Sequence, residues 1–205
     1  MIDLYMAPTA NGLRVAVALE ECALAYRVHR IDLAKGEQRT PEYLKINPAG
    51  LIPAIVDDEG PGGKPITLTQ SPALILYVAE KAGRFIPTIP AARYQALQWL
   101  MQGATDIAGT SGAIFRLEVT APEKNAANVD YFKQRLVTFF RDCDRQLEGR
   151  DFLAGEISVA DLMIYPNYAL RKPLLEAAGG FANLHRWGAT MAARPGVQKG
   201  MALAG

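Results

Sequence analysis

The sequence predicts an α/β domain followed by an all-helical domain, and three observations carry that prediction. The first 82 residues alternate short apolar strand-like runs with helix-period segments; no strand pattern occurs from Ala91 onward; and the stretch between, Arg84 to Pro90, holds two prolines and no periodicity. The expected division is 1–83 for the α/β domain, 84–90 for a linker and 91–205 for the helical domain.

Ile2 to Tyr5 reads as a short apolar strand. Gly12 to Ala23 follows as a helix, with Val15, Ala18, Leu19 and Cys22 at i, i+3, i+4 and i+7 and with Arg14 and Glu21 on another face. A second strand, about Tyr26 to Asp32, completes a βαβ unit, which requires parallel pairing and a right-handed crossover. Pro41 to Ile46 is a short helical segment. Ala54 to Asp57 and Ile66 to Thr69 are strands joined across Gly60-Pro61-Gly62-Gly63 into a hairpin. Ser71-Pro72 places a hydroxyl at the N-cap and a proline at N1 of a helix that Gly83 closes. Its interior, Ala73 to Ala82, is apolar nearly all round, so other elements must cover it. The first domain thus reads βαβαββα.

In the second domain, helical segments are expected at about 91–118, 127–148, 159–171, 173–178 and 184–193. Ser158 and Asp161 have capping-box spacing, with Ile157 and Leu162 at the staple positions. Pro166 is expected to kink its helix or thin its hydrogen bonding.

Composition narrows the function classes. With 50% hydrophobic and 21% charged residues the chain is ordinary globular protein, and a net charge of +1, split as −2 and +3 between residues 1–82 and 83–205, gives no pull toward nucleic acid. No apolar run approaches the roughly 18 to 20 residues that span a bilayer, and Met1-Ile2-Asp3-Leu4-Tyr5 lacks the regions of a signal peptide, so a cytoplasmic protein without membrane partners is expected. Cys22 and Cys143 are the only cysteines, which argues against a disulfide framework or a zinc site. His29 and His185 lack ligand spacing, so no metal is expected.

Three loops could carry chemistry. Ala7-Pro8-Thr9-Ala10-Asn11-Gly12 joins the first strand to the first helix, where free N–H groups and the helix dipole favour an anion and where Thr9 and Asn11 add side-chain donors; simple capping by Thr9 or Asn11 is the alternative. Asn47-Pro48-Ala49-Gly50-Leu51-Ile52-Pro53 is a turn running into a strand. A cis Ile52-Pro53 bond would leave the Ile52 backbone free to pair with an extended ligand, and a trans bond would make it an ordinary turn. Thr69-Gln70-Ser71 opens the buried helix with groups that suit a carboxylate, N-capping by Ser71 being the simpler reading.

In order and spacing, Leu4-Tyr5, Asn47-Pro48, Ile52-Pro53, Gln70-Ser71, the Ser158 to Asp161 box, Trp187 and Arg194-Pro195 resemble the cytosolic glutathione transferases along the whole chain. Tyr5-Met6-Ala7-Pro8-Thr9-Ala10-Asn11-Gly12 with Lys35-Gly36-Glu37-Gln38 is most similar to the bacterial Nu class, which is itself similar to disulfide-reducing transferases. The resemblance implies a thioredoxin-like first domain, glutathione as substrate, and a homodimer using the Ala73 to Ala82 helix and the helix beginning near Ala91. It implies that Ser71 and Gln70 hold the γ-glutamyl end, that the Ile52 backbone beside Pro53 pairs with the cysteinyl part, and that Gln38 reaches the glycyl end. Thr9 and Asn11 would face the sulfur and stabilise its thiolate for disulfide reduction or for conjugation to electrophiles. A glutathione-binding regulatory protein of the same fold with little activity is the alternative.

Other residues take structural readings. Tyr5 is expected in the core rather than in catalysis, Cys22 as a small buried hydrophobe, and Cys143, among Arg141, Asp142 and Asp144, as a surface or interface thiol. One departure from the family pattern stands near Asp130-Tyr131, where related reductases carry an arginine for a second glutathione. Arg116, Lys133 and Arg135 are the candidates to replace it.

Overall fold

Alternation along the first strand sets the core of the α/β unit: in β1 (Ile2–Met6), Ile2, Leu4 and Met6 are buried while Asp3 and Tyr5 on the opposite face are half-buried. In the computed structural model, which describes residues 1–205, α1 (Ala10–Glu21) leads to β2 (Tyr26–Arg30), parallel to β1. After α2 (Pro41–Leu44), the strands β3 (Ala54–Asp57) and β4 (Ile66–Thr69) form the expected antiparallel hairpin, and β3 also pairs antiparallel with β1. The sheet order is therefore β2-β1-β3-β4, and α3 (Ser71–Ala82) completes the thioredoxin-like pattern. Gly83, in the left-handed region at φ 63°, ends α3 as the sequence predicts. The start of α3 differs from expectation. Its N-cap is Gln70, at φ 70°, and Ser71 is the first helical residue with its hydroxyl committed elsewhere.

The second unit, Phe85–Ala192, is helical throughout. The expected helix at 91–118 is α4 (Pro90–Gln102) and α5 (Gly109–Phe115), with wider π-helical turns at Gly103–Ala108 and Arg116–Thr120. α6 (Ala126–Gln146) buries Val129, Leu136, Phe140 and Cys143 on one stripe. Cys143 is thus fully buried rather than at the surface: its charged sequence neighbours point to other faces of the helix. The segments expected at 159–171 and 173–178 are one helix, α7 (Val159–Ala178), which continues through Pro166 and Pro173. Between the two prolines' turns, the Arg171 guanidinium donates to Ser111 Oγ and O at 3.0 Å and ties α7 to α5.

The capping box at its start is present. Ser158 Oγ accepts from Ala160 N, and the Asp161 carboxylate accepts from Ser158 N at 2.9 Å, Leu153 N at 3.1 Å and Trp187 Nε1 at 2.9 Å. Asp161 thereby ties the start of α7 to α8 (Ala182–Ala192). Burial is the larger influence on this carboxyl and pushes it up to about 6, against the pull of its donors. No helix is long and apolar enough to cross a membrane.

The last helix, α9 (Pro195–Met201), has no counterpart among the sequence expectations, and the segment Ala193–Gly205 belongs to the same unit as Met1–Arg84 rather than with 91–192. It packs on α1 so closely that a Cβ on Gly200 would lie 2.6 Å from the backbone of Val17. Packed against the sheet, α3 and α9, α1 is buried from Gly12 to Leu19, and Arg14 and Glu21, which the helical period sets on another face than Val15 and Leu19, are buried as well.

Candidate functional site

Strand register brings the three loops to one end of the sheet. Tyr5 pairs with Ala54 and Ala54 with Thr69, so the chain leaving β1, the chain entering β3 and the chain leaving β4 end side by side. The exit of β2 joins them, since Met6 pairs with Arg30 and Ile31 N donates to Met6 O at 2.8 Å. Every sequence-predicted site residue lies on the chain that leaves or enters the sheet at this end or in the first turn of the helix that follows it.

Thr9 is the N-cap of α1, extended at φ −113°, and its Oγ1 accepts from Gly12 N at 3.4 Å. The capping reading therefore holds for Thr9, and since Oγ1 accepts in that bond, its own proton is not used by it. Asn11 is exposed in the first turn of the helix. Gly12 is required here: a Cβ would come within 2.3 Å of Ala7 O, pushing the loop off the helix.

The Ile52-Pro53 bond is cis. The turn before it is held by Asn47, whose Oδ1 accepts from Ala49 N at 3.1 Å and whose Nδ2 donates to Leu51 O at 2.5 Å; Tyr43 Oη donates to the same Leu51 O at 2.7 Å. The β1–β3 ladder stops at Ala54, so Ile52 lies beyond it, while Pro53 is buried. Gln38 sits in a tight turn, Glu37–Arg39, with its Oε1 buried and without a partner. Gln70, exposed, takes a left-handed φ of 70° that non-glycine residues adopt at a cost of order 1–3 kcal/mol. Ser71 behind it is 5% exposed, and its Oγ accepts from Arg14 Nη1 at 3.1 Å.

A cleft of about 560 Å3 borders this end of the sheet, lined by Ala7, Pro8 and Thr9 on one side and by Asp32, Leu33 and Glu37 on the other. The far wall was not foreseen from sequence. Asp32 gives the clue, since its Oδ1 accepts from Ala34 N and Lys35 N and folds the 32–37 segment back into a turn.

Tyr5, expected in the core, is half-buried. It stacks on His29 at 4.5 Å between ring centres, with Tyr43 edge-on at 6.2 Å, on the half-buried face of the sheet. Burial, reinforced by Asp3, pushes its phenol up. His29 Nε2 and Asp3 Oδ1 lie 2.7 Å apart and His185 Nδ1 meets Tyr168 Oη at 3.0 Å, so the two imidazoles serve separate local contacts. No group of three His, Cys, Asp or Glu is placed to hold a metal ion.

Both thiols are buried. Cys22, at the C-cap of α1, is 5% exposed and burial pushes its thiol up to about 11; burial raises Cys143 further still. In the helical unit, Lys133 pairs with Glu118 at 2.7 Å and Arg135 lies 5.0 Å over the Phe139 ring, which leaves Arg116 as the candidate without such an engagement.

Residues 10–81 match the model of the glutathione S-transferase N-terminal domain. The chain is 37% identical over 168 residues, 81% of its own length and 78% of the relative's, to the disulfide-bond oxidoreductase YfcG of Escherichia coli. A solved glutathione transferase from Pseudomonas putida, with one glutathione disulfide bound per subunit, is 34% identical with a TM-score of 0.90, covering 98% of this chain and 90% of that one. A second, from Burkholderia graminis with two glutathione molecules per subunit, is 32% identical with a TM-score of 0.90, covering 98% and 87%. On this likeness, which extends over both units, the chain belongs to the glutathione S-transferase superfamily, in its Nu-like branch.

Proposed function

We propose that this protein is a glutathione-dependent enzyme that reduces disulfides, or conjugates electrophiles, with the thiolate of bound glutathione. The observation that carries this is the placement of Thr9, Ile52 and Gln70-Ser71 at one end of the sheet while both protein thiols are buried with raised pKa values. A thiol-using enzyme so built takes its sulfur from the substrate.

In this reading Ser71 and Gln70 hold the γ-glutamyl group at the start of α3, the Ile52 backbone pairs with the cysteinyl part, and Gln38 faces the glycyl end. Thr9 and Asn11 stand at the sulfur. A free thiol with pKa near about 8.5 is mostly protonated at neutral pH. The Thr9 hydroxyl proton and the N-terminus of α1 favour the charged form, and each unit of depression corresponds to about 1.4 kcal/mol.

The thiolate attacks one sulfur of a disulfide, forming a mixed disulfide with glutathione and expelling the other half as a thiolate, which takes a proton. A second glutathione thiolate attacks the glutathione sulfur of that intermediate and releases the remaining thiol. The sum is two glutathiones oxidised to glutathione disulfide and one disulfide reduced to two thiols. With an electrophilic carbon, the same thiolate forms a C–S bond as the leaving group departs with its electron pair.

Two unpaired cysteines suit the reducing cytoplasm, where the glutathione pool is also found. A homodimer accords with Tyr94 and Met101 on α4, which are 71% and 48% exposed in the single chain; light scattering at the monomer mass overturns that part. The function is tested by assaying the purified protein, with glutathione, on 2-hydroxyethyl disulfide and on an aryl halide. Fast disulfide turnover with slow conjugation selects the reductase, the reverse selects the transferase, and binding without either turnover overturns the enzymatic reading.

A further inference from the structure

Arg14 is a cation without a counter-ion. It lies on α1 at 1% exposure, no carboxylate pairs with it, and burial alone lowers its guanidinium to about 9. Nη1 donates to Ser71 Oγ at 3.1 Å, while Nε and Nη2 are buried with no partner at all. Burying an unpaired charge and two unmet donors is costly, and the contact with Ser71 is too little to repay it within the fold.

The geometry shows where the compensation lies. A guanidinium only donates, so Ser71 Oγ must accept from Arg14, and the hydroxyl proton is turned away from it. That proton then lies at the first residue of α3, a twelve-residue helix whose free N–H groups and dipole also favour a negative group. The preceding residue, Gln70, is held at φ 70° and is exposed beside it. An unpaired buried cation, an oriented hydroxyl and a helix N-terminus therefore converge on one anion.

We propose that Arg14 is a positioning residue for the α-carboxylate of the γ-glutamyl group: through Ser71 Oγ it directs the hydroxyl proton to that carboxylate and supplies the countercharge behind it. The proposal rests on the glutathione reading above. It makes the charge on Arg14 a determinant of affinity for one functional group of the ligand, with no direct contact between the two.

The test is calorimetric titration of wild-type, Arg14→Met and Arg14→Lys proteins with glutathione and with 4-aminobutyryl-cysteinyl-glycine, which lacks only the α-carboxylate. Arg14→Met is expected to weaken glutathione at least tenfold and the analogue less than twofold, while Arg14→Lys recovers most of the loss. In turnover, KM for glutathione rises with kcat retained. Equal weakening of both ligands, or unchanged affinity for glutathione, overturns the assignment of Arg14 alone. Wild-type protein that binds neither ligand overturns the glutathione reading and this proposal with it. Should Arg14→Met not fold, Arg14→Gln keeps a donor to Ser71 without the charge, and it must show the same selective loss.

Discussion

Arg194 grips Glu21 across 173 positions of sequence, donating from Nε at 3.0 Å and from Nη2 at 2.6 Å to one carboxylate oxygen, while the other oxygen accepts from Val197 N at 3.2 Å. Glu21, 4% exposed in its side chain, so caps the start of α9 from the end of α1. Removing Arg194 leaves the buried Glu21 carboxylate without its countercharge, which costs about 3 kcal/mol or more. Arg194→Ala is expected to lower the unfolding free energy by about that amount and to expose the segment Ala193–Gly205 to limited proteolysis. Denaturant unfolding and mass spectrometry of the digest check the two effects.

Asp57 supplies a pH-dependent part of stability. Burial by itself raises its carboxyl, but Lys81 Nζ at 2.8 Å, Tyr77 Oη at 2.6 Å and Glu59 N at 3.0 Å more than offset this and hold it below the usual range. A depressed folded pKa stabilises the fold above the unfolded value of about 3.9 and loses that contribution as pH falls through the folded value. Asp57→Asn should cost about 2 kcal/mol at pH 7, and the gap from wild type should close below about pH 4. Urea melts at a series of pH values read both numbers.

At Thr9 the hydroxyl caps α1, and in the proposed function its proton faces the glutathione sulfur. Thr9→Val removes both. It should cost about 1 kcal/mol of stability and lower kcat/KM for glutathione-dependent turnover about tenfold at neutral pH, with the alkaline-rising limb of the pH profile displaced upward by about one unit. Thr9→Ser keeps the hydroxyl and should keep the profile. An unshifted profile in Thr9→Val would remove Thr9 from the sulfur.

Cys22→Ser with Cys143→Ser should leave turnover within twofold of wild type, because neither thiol is accessible or acidified. The double variant should nonetheless melt earlier, since Cys143 lies in the stripe of α6 between Phe140 and Leu147 and a hydroxyl there costs about 1–3 kcal/mol unless it finds a partner. Rate and melting temperature are thus expected to separate.

Much of the fold was legible because its signals are local. The hairpin follows from strand alternation around a glycine-rich turn, the end of α3 from Gly83, and the start of α7 from the Ser158 and Asp161 spacing, each a contact within a few residues. The order of the loops along the chain also pointed to the end of the sheet where they meet, since βαβ handedness and hairpin pairing leave few alternatives. Errors arose where a residue's surroundings come from a distant segment. Charged neighbours suggested an exposed Cys143, although helical period carries them to other faces. The helical period set Arg14 and Glu21 on another face of α1 without showing what covers it: their partners, Ser71 and Arg194, lie 57 and 173 positions away.

The amino-acid order alone therefore determined the strands and helices of the α/β unit from β1 to α3, the helical character of the second unit, the caps at Gly83 and Ser158, and the family whose pattern they follow. The tertiary structure decided that Ile52-Pro53 is cis, that α9 closes over α1 within the α/β unit, and that Arg14 is buried behind Ser71 without a counter-ion. The physical reason is range: hydrogen bonds of turns and helix ends are made by near neighbours, whereas burial and charge compensation depend on what the folded chain brings alongside.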